Sequence, residues 1–179
     1  MAVADVTKVY RVPGKLAINP TNLATAFPHG GTALGVATRV RIERTEPRTM
    51  VRAEEFGQEV VEVVRGGETL ILGVMLRQWD SDVLSAIFPD TSGTTVNGLP
   101  ATTRAGSLMT DNTAKLIFTP DNQTDHPGII LYKAVPLVEE TAELKFGVVR
   151  ELVIPTLWLA LRDASNRFYS VGKIGDLSL

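Results

Sequence analysis

The sequence predicts a mainly β protein, a sandwich or barrel of two packed sheets with one short α-helix laid against it. Three observations carry that expectation. Apolar residues recur with a period of two rather than 3.6 along most of the chain. Glycine and proline punctuate a series of short valine- and leucine-rich runs. Only one stretch, residues 80–88, combines a helical apolar stripe with a capping residue. A helix that short cannot stand alone and has to pack on a sheet.

The elements follow in order. From Val36 to Glu43, Val36, Thr38, Val40 and Ile42 alternate with Arg39, Arg41 and Glu43, the pattern of a strand with one buried and one wet face. Gln58–Arg65 and Glu68–Gln78 come next, joined by Gly66-Gly67. Both positions of a Gly-Gly pair can take positive φ, so the pair predicts a hairpin turn between these two strands. The second run is apolar on both faces, which places it centrally in a sheet or at a subunit contact. After Trp79, Asp80-Ser81-Asp82 leads into Val83, Leu84, Ile87 and Phe88, and Pro89 stops the pattern. Asp80 suits the cap and Asp82 the positive end of the helix dipole. Further strands are expected within Gly106–Thr119, Gly128–Leu137, Leu144–Arg162 (broken near Pro155) and Phe168–Ile174, with Glu139–Val149 open between strand and short helix. Long connections are expected at Pro20–Leu34, Thr45–Gly57, Pro89–Ala105 and Pro120–Pro127. Of these, Pro89–Ala105 has the composition of a mobile segment.

Composition narrows the class. With 179 residues, 44% hydrophobic and 21% charged, the chain reads as one globular domain spanning 1–179, neither disordered nor fibrous. The longest apolar run, Leu70–Leu76, is too short to cross a bilayer, and the first residues lack a signal-peptide pattern. Eighteen basic against 20 acidic residues give a net −2, divided as 10 against 11 in residues 1–90 and 8 against 9 in 91–179. No basic tract supplies the electrostatic term of tight nucleic-acid binding. The absence of cysteine excludes disulfides, a thiol nucleophile and zinc–thiolate sites.

Catalytic groups are sparse. His29 and His126, the only histidines, sit beside proline or glycine in expected loops, and no Gly-x-Ser-x-Gly elbow is present. Asp121, Asp125 and His126 lack the spacing of a calcium loop and read as a turn. Glu54/Glu55, Asp80/Asp82 and Glu139/Glu140 lie in polar stretches, and neither Gly30-Gly31 nor Gly66-Gly67 is followed by a phosphate-loop lysine. Trp79 and Trp158 read as packing residues. The expectation is a protein that is not an enzyme and has no cofactor and no metal. It offers strand edges and long loops to copies of itself.

An ordered set of segments resembles the tail tube (major tail) proteins of long-tailed bacteriophages. Pro28-His29-Gly30-Gly31-Thr32-Ala33-Leu34-Gly35 leads into the charged alternating strand. The Gly66-Gly67 region then runs into Arg77-Gln78-Trp79-Asp80 and the short helix. Gly128–Ala134 and Ile154–Asp163 follow, closing near Val171–Asp176. The resemblance implies packed sheets flanked by a helix, six copies to a ring, and rings stacked into a hollow virion tube through which DNA passes without tight binding. Tape-measure and terminator proteins would be further partners, with assembly in the host cytoplasm and no membrane involved. Within that picture residues 45–57, with Arg48, Arg52, Glu54 and Glu55, are the expected inter-ring element. Arg39, Arg41, Glu43 and Glu62 are the candidates to line the channel. The alternatives are another tail or head–tail joining subunit of the same fold (terminator, stopper or decoration protein) and a small-molecule-binding β-barrel.

Overall fold

The computed structural model describes residues 13–53, 59–78, 81–87, 113–124, 126–137 and 153–179. It is mostly β, as expected. The strands are β1 (Gly14–Ile18), β2 (Thr32–Thr45), β3 (Arg48–Ala53), β4 (Glu59–Arg65), β5 (Thr69–Leu76), β6 (Ala114–Pro120), β7 (Gly128–Leu137), β8 (Ile154–Leu161) and β9 (Tyr169–Gly172). One helix, α1 (Ser81–Ile87), lies between β5 and β6, and a 3-10 turn spans Ile174–Asp176. Antiparallel pairing runs β6-β1-β2-β5-β8-β7, and β6 also pairs with β7, so six strands close on themselves as a barrel. β9 adds to the outside of β7, and β3 and β4 form a separate two-stranded sheet.

Period-two burial fills the barrel. Along β5, Leu70, Leu72, Val74 and Leu76 are buried while Thr69, Ile71 and Met75 face outward. Trp158 and Phe118 meet this row from β8 and β6, Leu16 and Leu34 join it, and Val83 and Ile87 of α1 complete the cluster. Those two helical residues are one turn apart, which is why so short a helix can dock with one stripe. Trp158 donates its indole N–H to the Thr156 hydroxyl at 3.3 Å, and that hydroxyl donates to the Val74 carbonyl at 3.2 Å. A second cluster lies on the other side of the wall. Ala17, Ile117, Ile130 and Tyr132 are covered there by Ile174, with Leu23, Phe27, Leu177 and Leu179 packed around them.

Residues 20–31 are pinned by a buried histidine. His29 Nδ1 lies 2.9 Å from the Thr25 carbonyl and Nε2 lies 3.0 Å from the Thr119 hydroxyl. Its neighbour Gly31 passes so close to the chain at Ile18 and Asn19 that a Cβ would collide with the Ile18 carbonyl. The His29–Gly31 segment is therefore held against Thr119 of β6 and the end of β1. His126 is likewise buried.

Several expectations are corrected. Gly66-Gly67 is not a hairpin turn between its flanking strands, because β4 pairs with β3 and β5 with β2. Of Thr45–Gly57, expected to be a long connection, Arg48–Ala53 is instead strand β3. In β2, Val36 (42% exposed) is not on the buried face, which Ala37 takes there, while Ile42 lies opposite the buried Leu72 on the inner side of the strand and is still 40% exposed. The register slips between Thr38 and Arg41, where Arg39 sits at φ 51°, and this bulge breaks the alternation that the sequence suggests. Strand β1 forms at Gly14–Ile18, where no element is expected from the sequence. Glu54, Glu55, Trp79, Asp80, Phe88, Pro89–Ala105, Gly106–Asn112, Asp125 and Glu139–Glu151 lie outside the described residues.

Candidate functional site: the two-stranded arm

Beyond the barrel, β2 and β5 run on together, with Arg41–Thr45 opposite Gly73–Thr69. After a corner the ladder resumes as β3 and β4, with Arg48 opposite Arg65. The result is one long hairpin whose outer half is a two-stranded arm. Its corner has a local cause. Pro47 has no N–H to give the ladder, while its carbonyl accepts from Gly66 N–H at 2.8 Å. Gly67 stands at φ 127°, a conformation that side-chain-bearing residues rarely adopt, and nothing lies within 4 Å of the place a Cβ would take. Glycine is needed there for the backbone, not for space.

Charge ties the corner together. The Glu46 side chain is only 13% exposed and gathers three guanidinium groups, Arg65 at 3.2 Å, Arg48 at 3.4 Å and Arg44 at 4.0 Å. Arg44 also pairs with Glu68, whose carboxylate accepts from the Tyr169 hydroxyl at 3.2 Å. Hydrogen bonding to Glu68, followed by its charge, raises the Arg44 pKa above the ordinary value. Burial, and then the Glu68 charge, push the Tyr169 phenol up. Because Tyr169 belongs to β9, this network connects the arm root to the barrel wall.

The arm's two faces follow from its register. Opposed residues share a face, and Arg48 and Arg65 show which face is which by both reaching Glu46. With them lie Met50 opposite Val63 and, beyond the bulge between Val51 and Arg52, Arg52 opposite Val60. The other face carries Thr49 opposite Val64, Val51 opposite Glu62, and Glu59. Apolar side chains stand in solvent on both: Met50 is 60% exposed, Val63 49% and Val64 46%. Among the described residues, most of the large exposed hydrophobics belong to this arm.

The expected site residues separate. Arg48 and Arg52 lie on β3, on the basic face, and Glu62 lies on the opposite face of the same arm. Arg41 and Glu43 form an exposed ion pair at 3.2 Å on β2, and Arg39 occupies the bulge before them. Glu46, Glu68, Arg44, Arg65 and Tyr169 are the residues that sequence reasoning misses. Their only signal is the Glu46-Pro47 dipeptide facing Gly66-Gly67. Among the described residues, no three metal-ligating side chains converge, and no helix is long and apolar enough to cross a membrane.

No family model matches the chain, and no curated protein matches it. Among solved structures it is similar to a chain of the anti-feeding prophage (AFP) baseplate, determined by cryo-EM and 6-fold symmetrised. The two share 14% sequence identity with a TM-score of 0.46, over 97% of this chain and 99% of that one.

Proposed function

We propose that the protein is a structural subunit of a phage tail. In this reading it acts as a homopolymer and not as a catalyst, its hexameric rings stacking into a hollow tube that conducts DNA. One observation carries the reading, together with the sequence resemblance to tail tube proteins. The arm holds Met50, Val51, Val60, Val63 and Val64 in solvent on a ribbon that pairs with no third strand among the described residues. A two-stranded ribbon is marginal by itself, and exposed apolar strands that serve no partner are an aggregation hazard. Both liabilities disappear when neighbouring copies cover the ribbon within a closed symmetric assembly.

The closed barrel sharpens the expectation about contacts. Each barrel strand has neighbours on both sides along much of its length, whereas β3, β4 and the outer half of β2 each have a strand neighbour on one side only among the described residues. The arm, with Arg48 and Arg52, is therefore the inter-subunit element. Arg39, Arg41 and Glu43 remain candidates for a channel lining that does not hold phosphate tightly, since Arg41 is already paired with Glu43.

Negative-stain microscopy of the concentrated full chain tests this reading. Six-fold rings and tubes are expected. Closed rings that never stack would instead indicate a terminator or stopper subunit. A particle that stays monomeric at every concentration would overturn the proposal.

A further inference from the structure

The two faces of the arm carry opposite charge. One displays Arg48, Arg52 and Arg65 around Met50, Val60 and Val63. The other displays Glu59 and Glu62 around Val51 and Val64. At the root Arg44 has Glu68, while Arg48 and Arg65 share the single carboxylate of Glu46, so two guanidinium groups of this face meet one negative charge and a positive excess remains. Glu59 and Glu62 make no ion pair among the described residues, although both are exposed.

We infer that the arm packs face to face with the arm of the next copy, the arginine face of one covering the glutamate face of its neighbour. This rests on the homopolymer reading above and specifies its contact. Packing like face on like face would set arginines against arginines or glutamates against glutamates, which is unfavourable. Packing unlike faces pairs the charges, joins the two apolar rows and leaves one face of each kind open for a further copy. A contact of this kind is head-to-tail, so it propagates until a ring closes or a filament grows. The charges set register and polarity while the valines and Met50 supply the buried area.

Because the chain has no cysteine, single introduced thiols report on this geometry without background. Val63→Cys marks the arginine face and Val64→Cys marks the glutamate face. Packed sheet faces stand about 10 Å apart, beyond disulfide reach, so a short bismaleimide is the suitable cross-linker. Under assembly conditions an equal mixture of the two variants is expected to form cross-linked dimers about a hundredfold faster than either variant alone, as effective concentrations in an assembled contact reach the millimolar range. Adding Glu59→Lys and Glu62→Lys to both variants is expected to abolish that excess. Polymers in which the mixture cross-links no faster than the single variants would overturn the face-to-face arrangement and leave the homopolymer reading intact. Protein that neither polymerises nor cross-links would overturn both.

Discussion

Glu46→Gln isolates the root of the arm. The change keeps the side-chain shape but removes the charge that Arg65, Arg48 and Arg44 share at 3.2, 3.4 and 4.0 Å. Arg65 and Arg48 are 75% and 61% exposed, so each of their pairs belongs to the screened class worth about 0.2–1 kcal/mol. Glu46 itself is mostly covered, and with its charge gone only Glu68 balances the three cations. Three weak pairs to one sheltered carboxylate sum to about 1–2 kcal/mol. The loss falls on the arm and not on the barrel, whose core lies elsewhere. Hydrogen exchange by mass spectrometry at a concentration too low for assembly should show arm amides in 48–53 and 59–65 losing about tenfold in protection, the equivalent of about 1.4 kcal/mol. The melting temperature should move by less than about 2 °C. Glu62→Gln, on the other face, should change neither quantity. Unchanged arm protection in Glu46→Gln, or an equal loss throughout the barrel, would refute the assignment of Glu46 as the residue that stiffens the root.

Three further outcomes are expected. Met50→Asp combined with Val63→Asp should leave the far-ultraviolet circular dichroism and melting temperature of the subunit nearly unchanged while abolishing rings and tubes, checked by sedimentation velocity. Trp158→Ala removes the largest fully buried side chain of the barrel and should cost about 3–5 kcal/mol in denaturant unfolding. Burial opposes ionisation of Asp163, but the backbone N–H of Arg167 at 2.7 Å, its guanidinium at 2.8 Å and the Ser165 N–H at 2.9 Å outweigh it and hold the carboxyl below its ordinary 3.8. A depressed folded pKa gives stability that is present above 3.8 and lost as pH falls through the lower folded value. Asp163→Asn should therefore flatten the acid limb of the stability curve below about pH 4, as read by thermal melts across pH 2–6.

The parts of the fold legible in sequence are those whose neighbours are apolar. Gly128–Leu137 coincides with β7: the run is apolar except for Lys133, starts at a glycine and contains Pro136, and it is buried on both faces along most of its length. Leu70–Leu76 reads as central for the same reason, and β5 is central. Half of the arm is legible, since Gln58–Arg65 reads as a strand and Glu59–Arg65 is β4; β3 is not, because both faces of the arm are wet and no buried row imposes a period on residues 48–53. Gly66-Gly67 misleads for a related reason. A local Gly-Gly signal fits a tight turn, and only the long-range pairing of β2 with β5 turns it into a corner. Val36 is out of phase with Ile42 because the Arg39 bulge, held by that same pairing, shifts the strand by one position between them.

The site was legible in its charges and not in its geometry. Arg48 and Arg52 stand out in any reading of residues 45–57. Nothing in the sequence shows that Glu46, Glu68 and Tyr169, from three separate segments, meet at one corner. Nor does it show that Arg48 opposes Arg65, which sets the three arginines on one face, or that an extra β4 residue at the Val51/Arg52 register shift brings Glu59, three positions from Glu62, onto the same opposite face.

Hydrogen exchange of the full chain, compared between dilute and concentrated solution, addresses the central claim most directly. Peptides covering 48–53 and 59–65 should gain protection on concentration while those covering β6 and β7 stay as they are. Arm amides that exchange equally fast at both concentrations would mean that no neighbour covers the ribbon, and the polymer would then have to be built, if at all, on some other surface.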